Sequence, residues 1–318
     1  MNEIAPATAK RRDDAARAAW LYFMNGRTQD EIAAQLNISR QAAQRLVAFA
    51  VSEKLIRFRL GHPIATCMEL ADRLQDRYGL EFCDIAPTDA QAPDSLSGIA
   101  SATAIRLERL LGAKTPITVC VGTGRSMRAA VEEMDHLDRP QHRIVSLVGN
   151  MASDGRASPY DVVMRLADKL GAERFPLPVP VLTETVEDRL TLQSQRFFAA
   201  LSDLRAQAKA NFIGISEIGP DCSMYRDGFM SRDDVAALVE RGAIGEITGW
   251  SFDRAGHLIE GSANDRVASL PLEVPPQRTT VVVGIGKVKV EPLRAALSGR
   301  LVSALITDER TGRALLQD

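Results

Sequence analysis

Residues 117–134 read ITVCVGTGRSMRAAVEEM: a short apolar run, a Gly-Thr-Gly turn closed by a hydroxyl residue, and a segment with helical spacing. An unbroken apolar run marks a strand buried on both faces, and such strands belong to parallel sheets covered by helices on both sides. Gly122 and Gly124 allow close approach of the backbone to a ligand, and the N–H groups that open the next helix point toward an anion or a hydroxyl oxygen. Gly122, Thr123, Gly124, Arg125 and Ser126 are thus a candidate cradle at the end of a strand. Glycines there also close tight turns for packing alone, so the motif by itself leaves both readings open.

Working outward, the same pattern recurs. LEFCDIAP (80–87), RIVSLVG (143–149), FIGIS (212–216), TTVVVGIG (279–286) and LVSALIT (301–307) read as buried strands, most of them followed by helical segments. LSGIASATAIRLERLLGA (96–113) has helical spacing, and SPYDVVMRLADKLGA (158–172) and SRDDVAALVERGA (231–243) each open on a Ser cap and reach a glycine. PLEVPPQ (271–277) reads as a Pro-rich surface connection. The expected fold class is α/β, a mostly parallel sheet sandwiched by helices across residues 63–318, preceded by a small all-α domain over residues 1–62. In such sheets ligands sit beyond the carboxyl ends of the strands. That rule selects the loops at Gly122 to Ser126, Gly149-Asn150-Met151, Ser216 to Gly219 with the MYRDG that follows, and Gly284 to Lys289.

The first sixty residues have another texture. TQDEIAAQLNISRQAAQRLVAFA (28–50) places Ile32, Ala33 and Leu36 on one face of a helix and Ala43, Leu46 and Val47 on one face of the next. Between them Asn37 suits the left-handed conformation of a tight interhelical turn, Ile38 plugs the elbow, and Ser39 is a good N-cap. This is the helix-turn-helix pattern, with Ala33 allowing the helices to cross closely. Ser39, Arg40, Gln41, Gln44 and Arg45 fall on the face left over, with Thr28 at the start of the first helix; Arg and Gln are the side chains that reach guanine, adenine and phosphate. AARAAWLYFMNG (15–26) would buttress the pair through Trp20, Leu21 and Phe23. LIRFRLG (55–61) alternates like a short wing strand whose Arg57 and Arg59 could touch phosphate.

Charge agrees with that division. Residues 1–60 hold 10 basic and 6 acidic side chains, and the remainder 29 and 35, so a basic head precedes an acidic body within a chain of net charge −2. No stretch is long and apolar enough for a membrane span, no secretory signal is indicated, and a cytoplasmic location is expected. Cys67, Cys83, Cys120 and Cys222 show no metal-ligand or disulfide spacing and read as small buried apolar residues. His62, His136, His142 and His257 are isolated and read as surface or capping residues. No catalytic residue, metal site or cofactor is expected. ATCMELADRLQDRYGL (65–80) is an amphipathic helix that would join head to body and offer a face for pairing between subunits.

Taken together, TQDEIAAQLNISRQAAQRL, VGTGRS, SLVGN, RLADKLGAE, the segment from FIGIS through MYRDGFMS to LVERGAIGEITGWSFDRAG, NDRV, and VVVGIGKVKVEPLRAALSGRLVSALITDERTGRALL resemble the SorC-type family of sugar-binding bacterial transcriptional regulators along nearly the whole chain. The resemblance implies a helix-turn-helix head on an effector domain similar in fold to sugar-phosphate isomerases, sensing a sugar, polyol or sugar phosphate. It also implies a homo-oligomer, dimer or tetramer, on double-stranded operator DNA. Carried over by motif, the cradle is Gly122, Thr123, Gly124, Arg125 and Ser126, and Asn150, Arg226, Asp227 and Lys289 line the remainder. Lys287 competes with Lys289, and Arg266 of NDRV either binds ligand or fixes a loop. A sugar-phosphate isomerase or deaminase is the alternative, with Asp154, Glu217, Asp221 and Asp227 as available carboxylates. A head that recruits proteins instead of DNA is a third reading.

Overall fold

The computed structural model describes residues 6–53, 55–56, 65–152 and 154–317, with side chains described from Lys10 onward. The chain divides into two compact units, Met1–His62 and Pro63–Asp318.

In the first unit, helix α1 (Pro6–Ala19) runs into a π-helical turn at Trp20–Met24, followed by α2 (Gln29–Leu36) and α3 (Arg40–Ser52). The three helices close on a small core of Ala18, Leu21, Ile32, Ala33, Ala43 and Val47, with Phe23, Leu36, Ile38 and Leu46 against it. Alanines where the helices meet let them approach closely, and each buried Ile or Leu contributes about 1.5–3 kcal/mol. Asn37 takes the left-handed conformation at φ 53° and ψ 48°, its N–H returning to Ala33 and Ala34, and this turns the chain into α3. Trp20 does not join the buttress: the π turn fits five residues into one hydrogen-bonded loop, from Asn25 N–H to the Trp20 carbonyl, and leaves the indole 54% exposed while Leu21 is buried. The wing strand with Arg57 and Arg59 lies outside the described residues.

The second unit opens with α4 (Ala65–Tyr78), then β1 (Phe82–Ala86), α5 (Ser97–Leu111), β2 (Thr118–Val121) and α6 (Arg125–Glu133). β3 (Arg143–Met151), α7 (Val162–Leu170), β4 (Glu173–Pro180), α8 (Val186–Gln193), α9 (Arg196–Ala206) and β5 (Ala210–Gly214) follow. After β6 (Ser216–Glu217) come α10 (Ser223–Arg226), α11 (Arg232–Glu240), β7 (Gly245–Ile247) and β8 (Trp250–Phe252). The chain ends with β9 (Thr279–Val283), α12 (Val290–Ser298), β10 (Ala304–Asp308) and α13 (Glu309–Leu316).

Seven strands form one parallel sheet in the order β1-β10-β9-β5-β2-β3-β4. Alternate residues of the central strands feed two cores: Cys120, Val145, Ile213 and Val282 pack on one face, and Val119, Val121, Phe212 and Val281 on the other. β6, β7 and β8 make a separate antiparallel sheet. From β2 the chain steps outward through β3 to β4, and from β5 it steps the opposite way through β9 and β10. The strand order therefore reverses between β2 and β5, and the carboxyl ends of those two strands flank the switch point where such folds hold ligands.

Several expectations change. Most of the apolar side of α4 is covered within its own unit: Leu74 and Ala71 join the core with Cys83 and Leu315, and the Tyr78 hydroxyl donates to the Leu315 carbonyl at 3.0 Å, while Met68 remains exposed. α7 begins at Val162 after a left-handed Asp161, not at a Ser158 cap, because the chain bends at Pro159 and stays out of helix through Tyr160. His142 is fully buried instead of surface or capping: its Nδ1 accepts from the Ile117 N–H at 3.2 Å, so Nε2 carries the proton toward the Leu111 carbonyl at 2.9 Å. All four cysteines are buried and unpaired. Burial raises the Cys120 thiol to about 12, which leaves it inert at neutral pH.

Candidate effector cleft and operator-facing helix

The cradle loop leaves β2 at Val121 and enters α6 through Gly124, whose φ of 111° and ψ of 170° place it where a side chain is strained. A helix leaves its first N–H groups without partners inside the helix, so the start of α6 offers free donors beside the loop. Gly122 lies beneath and not in the cleft; an added Cβ would meet the Ile213 Cα at 3.3 Å, so this glycine serves packing. Thr123, Gly124, Arg125 and Ser126 line a small cleft that is partly open to solvent.

The same cleft is lined by the polar or glycine positions Ser216, Glu246, Thr248, Gly249 and Lys289 and by the apolar Val148, Val181, Ile215, Met224 and Phe229. Lys289 lines the cleft from the end of a 3-10 turn, whereas Lys287 is exposed and does not line it. Burial, and then the nearby Arg125 guanidinium, holds the Lys289 ammonium below its ordinary range, while Glu217 and Glu246 act the other way. Glu246 is buried; its carboxylate accepts from the Ser216 hydroxyl and, at 2.8 Å, from the Gly249 N–H. Burial pushes this carboxyl above the usual range against those two hydrogen bonds and the Lys289 charge.

A third wall is built from sequence far apart. The Tyr160 hydroxyl donates to Asp227 at 2.6 Å, and the Thr123 and Ser158 hydroxyls pair at 3.3 Å. Burial and the Asp227 carboxylate together raise the Tyr160 phenol to about 12. Thus the loop before α7, expected to be helix, closes one side of the cleft.

Asn150 and Arg226 do not line it. β3 runs on through Met151, so Asn150 is a strand residue and not a loop tip, and its carbonyl accepts from the Ser158 N–H at 2.7 Å. Arg226 points to solvent at the end of α10. Arg266 fixes loops: it pairs with Asp234 and donates to the Thr183 carbonyl at 3.1 Å. Its neighbour Asn264 ties Ser251 to Ile259 by bonds of 2.7–2.8 Å. Sequence reasoning missed Tyr160, Ser223, Glu246 and Thr248. Only GEITGW carried a signal, an acidic residue followed by a Thr-Gly turn, within a block that otherwise served the family resemblance alone.

In the first unit Thr28, Ser39, Arg40, Gln41, Gln44 and Arg45 are all exposed. Thr28 and Ser39 act locally on the helix ends. Thr28 forms a capping box with Glu31, and Ser39 Oγ accepts from the Ala42 N–H at 3.1 Å. The Arg40 side chain is 70% exposed and 3.5 Å from Asp30, and Arg45 Nε donates to the Gln41 carbonyl at 3.3 Å. Such exposed contacts hold the side chains weakly and leave them available to a polyanion. No acidic side chain lies on α3.

Both units have counterparts among known proteins. The sugar-binding-domain family model (Sugar-bind) matches residues 62–317. The chain is 32% identical over 302 residues to the erythritol catabolism regulatory protein EryD of Brucella abortus, covering 95% of this chain and 96% of that one. It is 27% identical over 314 residues to the transcriptional regulator LsrR of an Enterobacter strain, covering 95% of this chain and 92% of that one. Among solved structures, the full-length sorbitol operon regulator SorC from Klebsiella pneumoniae superposes with a TM-score of 0.74 at 21% identity, over 95% of this chain and 98% of that one, a likeness of fold.

Proposed function

This chain belongs to the SorC-type family of sugar-binding transcriptional regulators, and from that membership we propose that it is a cytoplasmic homo-oligomer whose grip on operator DNA is set by a small polyol or polyol phosphate in the cleft of the second unit. It is a sugar-responsive regulator of a carbohydrate operon. The observation that carries the effector reading is the meeting, at the switch point of the sheet, of a left-handed Gly124 at the mouth of α6 with the buried polar floor of Ser216, Glu246 and Lys289. A helix start presents N–H donors to an anion or hydroxyl oxygens, and the floor offers both donors and acceptors, which suits a ligand bearing several hydroxyls. The short carbon chain is argued from the likeness to a regulator of erythritol catabolism. Residues 1–62 act as the operator-binding unit, with Arg40, Gln41, Gln44 and Arg45 facing the bases and Thr28 and Ser39 beside phosphate. One helix-turn-helix makes few contacts, so two copies related by a two-fold axis read a palindrome.

Isothermal titration with erythritol and with erythritol 4-phosphate tests the effector reading. Saturable one-site binding of either supports it, and binding of neither overturns it. Glu246 beside Lys289 is the one arrangement that favours the enzymatic alternative, since a carboxylate base and a nearby ammonium are what aldose–ketose proton transfer needs. We hold instead that the site detects without turnover, as the similarity to named regulators suggests. Conversion of ribose 5-phosphate on incubation with the protein would revive the enzyme.

A further inference from the structure

The hairpin that closes the cleft floor contains a conformational anomaly. Ile247 pairs with Trp250, so β7 and β8 are joined by the two residues Thr248 and Gly249. Both have positive φ, 51° and 94°, as a type I′ turn requires. Such turns use Asn, Asp or Gly at the first position; a β-branched residue there is a genuine outlier, because its Cβ crowds the backbone. Thr248 is also 8% exposed, and its Oγ1 makes no hydrogen bond among the described residues. A strained backbone and an unsatisfied buried hydroxyl both lower stability, and nothing in the turn itself calls for threonine.

Placement supplies the reason. Thr248 lines the effector cleft together with Glu246, Gly249 and Lys289. Glu246 and Lys289 place a polar acceptor and a polar donor in the same cleft, and neither suits a bare methylene. A hydroxyl suits all three groups, since it donates to the carboxylate and accepts from the ammonium or from Thr248. We propose that Thr248 is the specificity-determining residue of the cleft, its hydroxyl held in a strained turn to bind a ligand hydroxyl. The inference rests on the effector reading above and adds which side chain of the cleft tests the ligand for an oxygen. A site that hydrogen-bonds a hydroxyl rejects the analogue that lacks it, because its own polar groups are then left unpaired.

Thr248 also borders a second, smaller cavity with Arg205, Asn211 and Glu273, which supplies the competing explanation, a hydroxyl serving only the packing of that cavity. Two variants separate the cases. Thr248→Val removes the hydroxyl and keeps the branched side chain; Thr248→Gly removes it and relieves the turn. With erythritol and erythritol 4-phosphate as probes, both variants are expected to bind the probe that wild type binds roughly tenfold or more weakly. Without either probe, Thr248→Gly is expected to melt about 2–4 °C above wild type. Wild type is expected to prefer erythritol over butane-1,2,4-triol, the same chain short of one hydroxyl, or likewise the two phosphates, and Thr248→Val to lose most of that preference. Variants that bind the probe as wild type does, or a Thr248→Gly protein that melts lower, overturn the assignment of Thr248 alone. Wild type that binds neither probe overturns the effector reading, and the assignment falls with it.

Discussion

Glu246 carries the clearest electrostatic consequence of the structure. Burial raises its carboxyl in the folded chain, so the folded state holds this proton more tightly than the unfolded one. The stability it contributes is complete below the ordinary carboxylate value of 4.5 and is lost as pH rises through the raised value. Glu246→Gln, which cannot ionise, is therefore expected to match wild type in melting midpoint near pH 4 and to gain on it as pH rises toward 8; a difference that does not vary with pH contradicts the burial argument. On the other unit, Arg40→Ala and Arg45→Ala are each expected to weaken operator binding by ~1–3 kcal/mol, as loss of a base or phosphate contact does, with the melting midpoint unchanged because both side chains are exposed. Anisotropy titration beside a thermal melt checks both halves. At this scale the strand-end motif led to Arg125 and the family resemblance to Lys289, and both side chains line the cleft. Tyr160 and Glu246 were not legible, because their role depends on partners 67 and 30 residues away, Asp227 and Ser216, brought together only by the sheet.

The elements were read best where local chemistry decides them. Asn37 was recognisable because its side chain makes the left-handed turn cheap, and φ 53° bears this out. Asn37→Val should then cost about 1–2 kcal/mol of unfolding free energy in a denaturant titration, and Asn37→Gly no more than a few tenths. Equal losses for the two would show that the turn is held by something other than backbone conformation. β4 was missed because Pro176, Pro178 and Pro180 argue against a strand. They are tolerated because β4 is the last strand of the sheet, with one side free of ladder bonds among the described residues. The start of α7 was misplaced for a related reason: Ser158 has the composition of a cap, yet its hydroxyl pairs with Thr123. The small sheet of β6, β7 and β8 escaped because strands of two or three residues show no periodicity.

For the whole molecule, the unbroken apolar runs identified the parallel sheet, and the basic and acidic halves suggested two units with different partners. What composition could not supply is the coupling between them, because coupling is a difference in free energy between arrangements and not a property of either unit. Regulation requires that the effector bind one DNA-affinity state better than the other, since equal affinity would leave operator binding unchanged however tight the ligand. The typical scale is about 1–3 kcal/mol, or roughly a 5- to 150-fold change in affinity. The most direct test is a titration of the full chain against a fluorescent operator duplex from its own promoter region, at fixed salt, with and without saturating erythritol or erythritol 4-phosphate. The account predicts sequence-specific binding whose dissociation constant shifts by at least about fivefold with one of these ligands. Binding that ignores sequence, or a dissociation constant unmoved by a ligand shown to occupy the cleft, would contradict it.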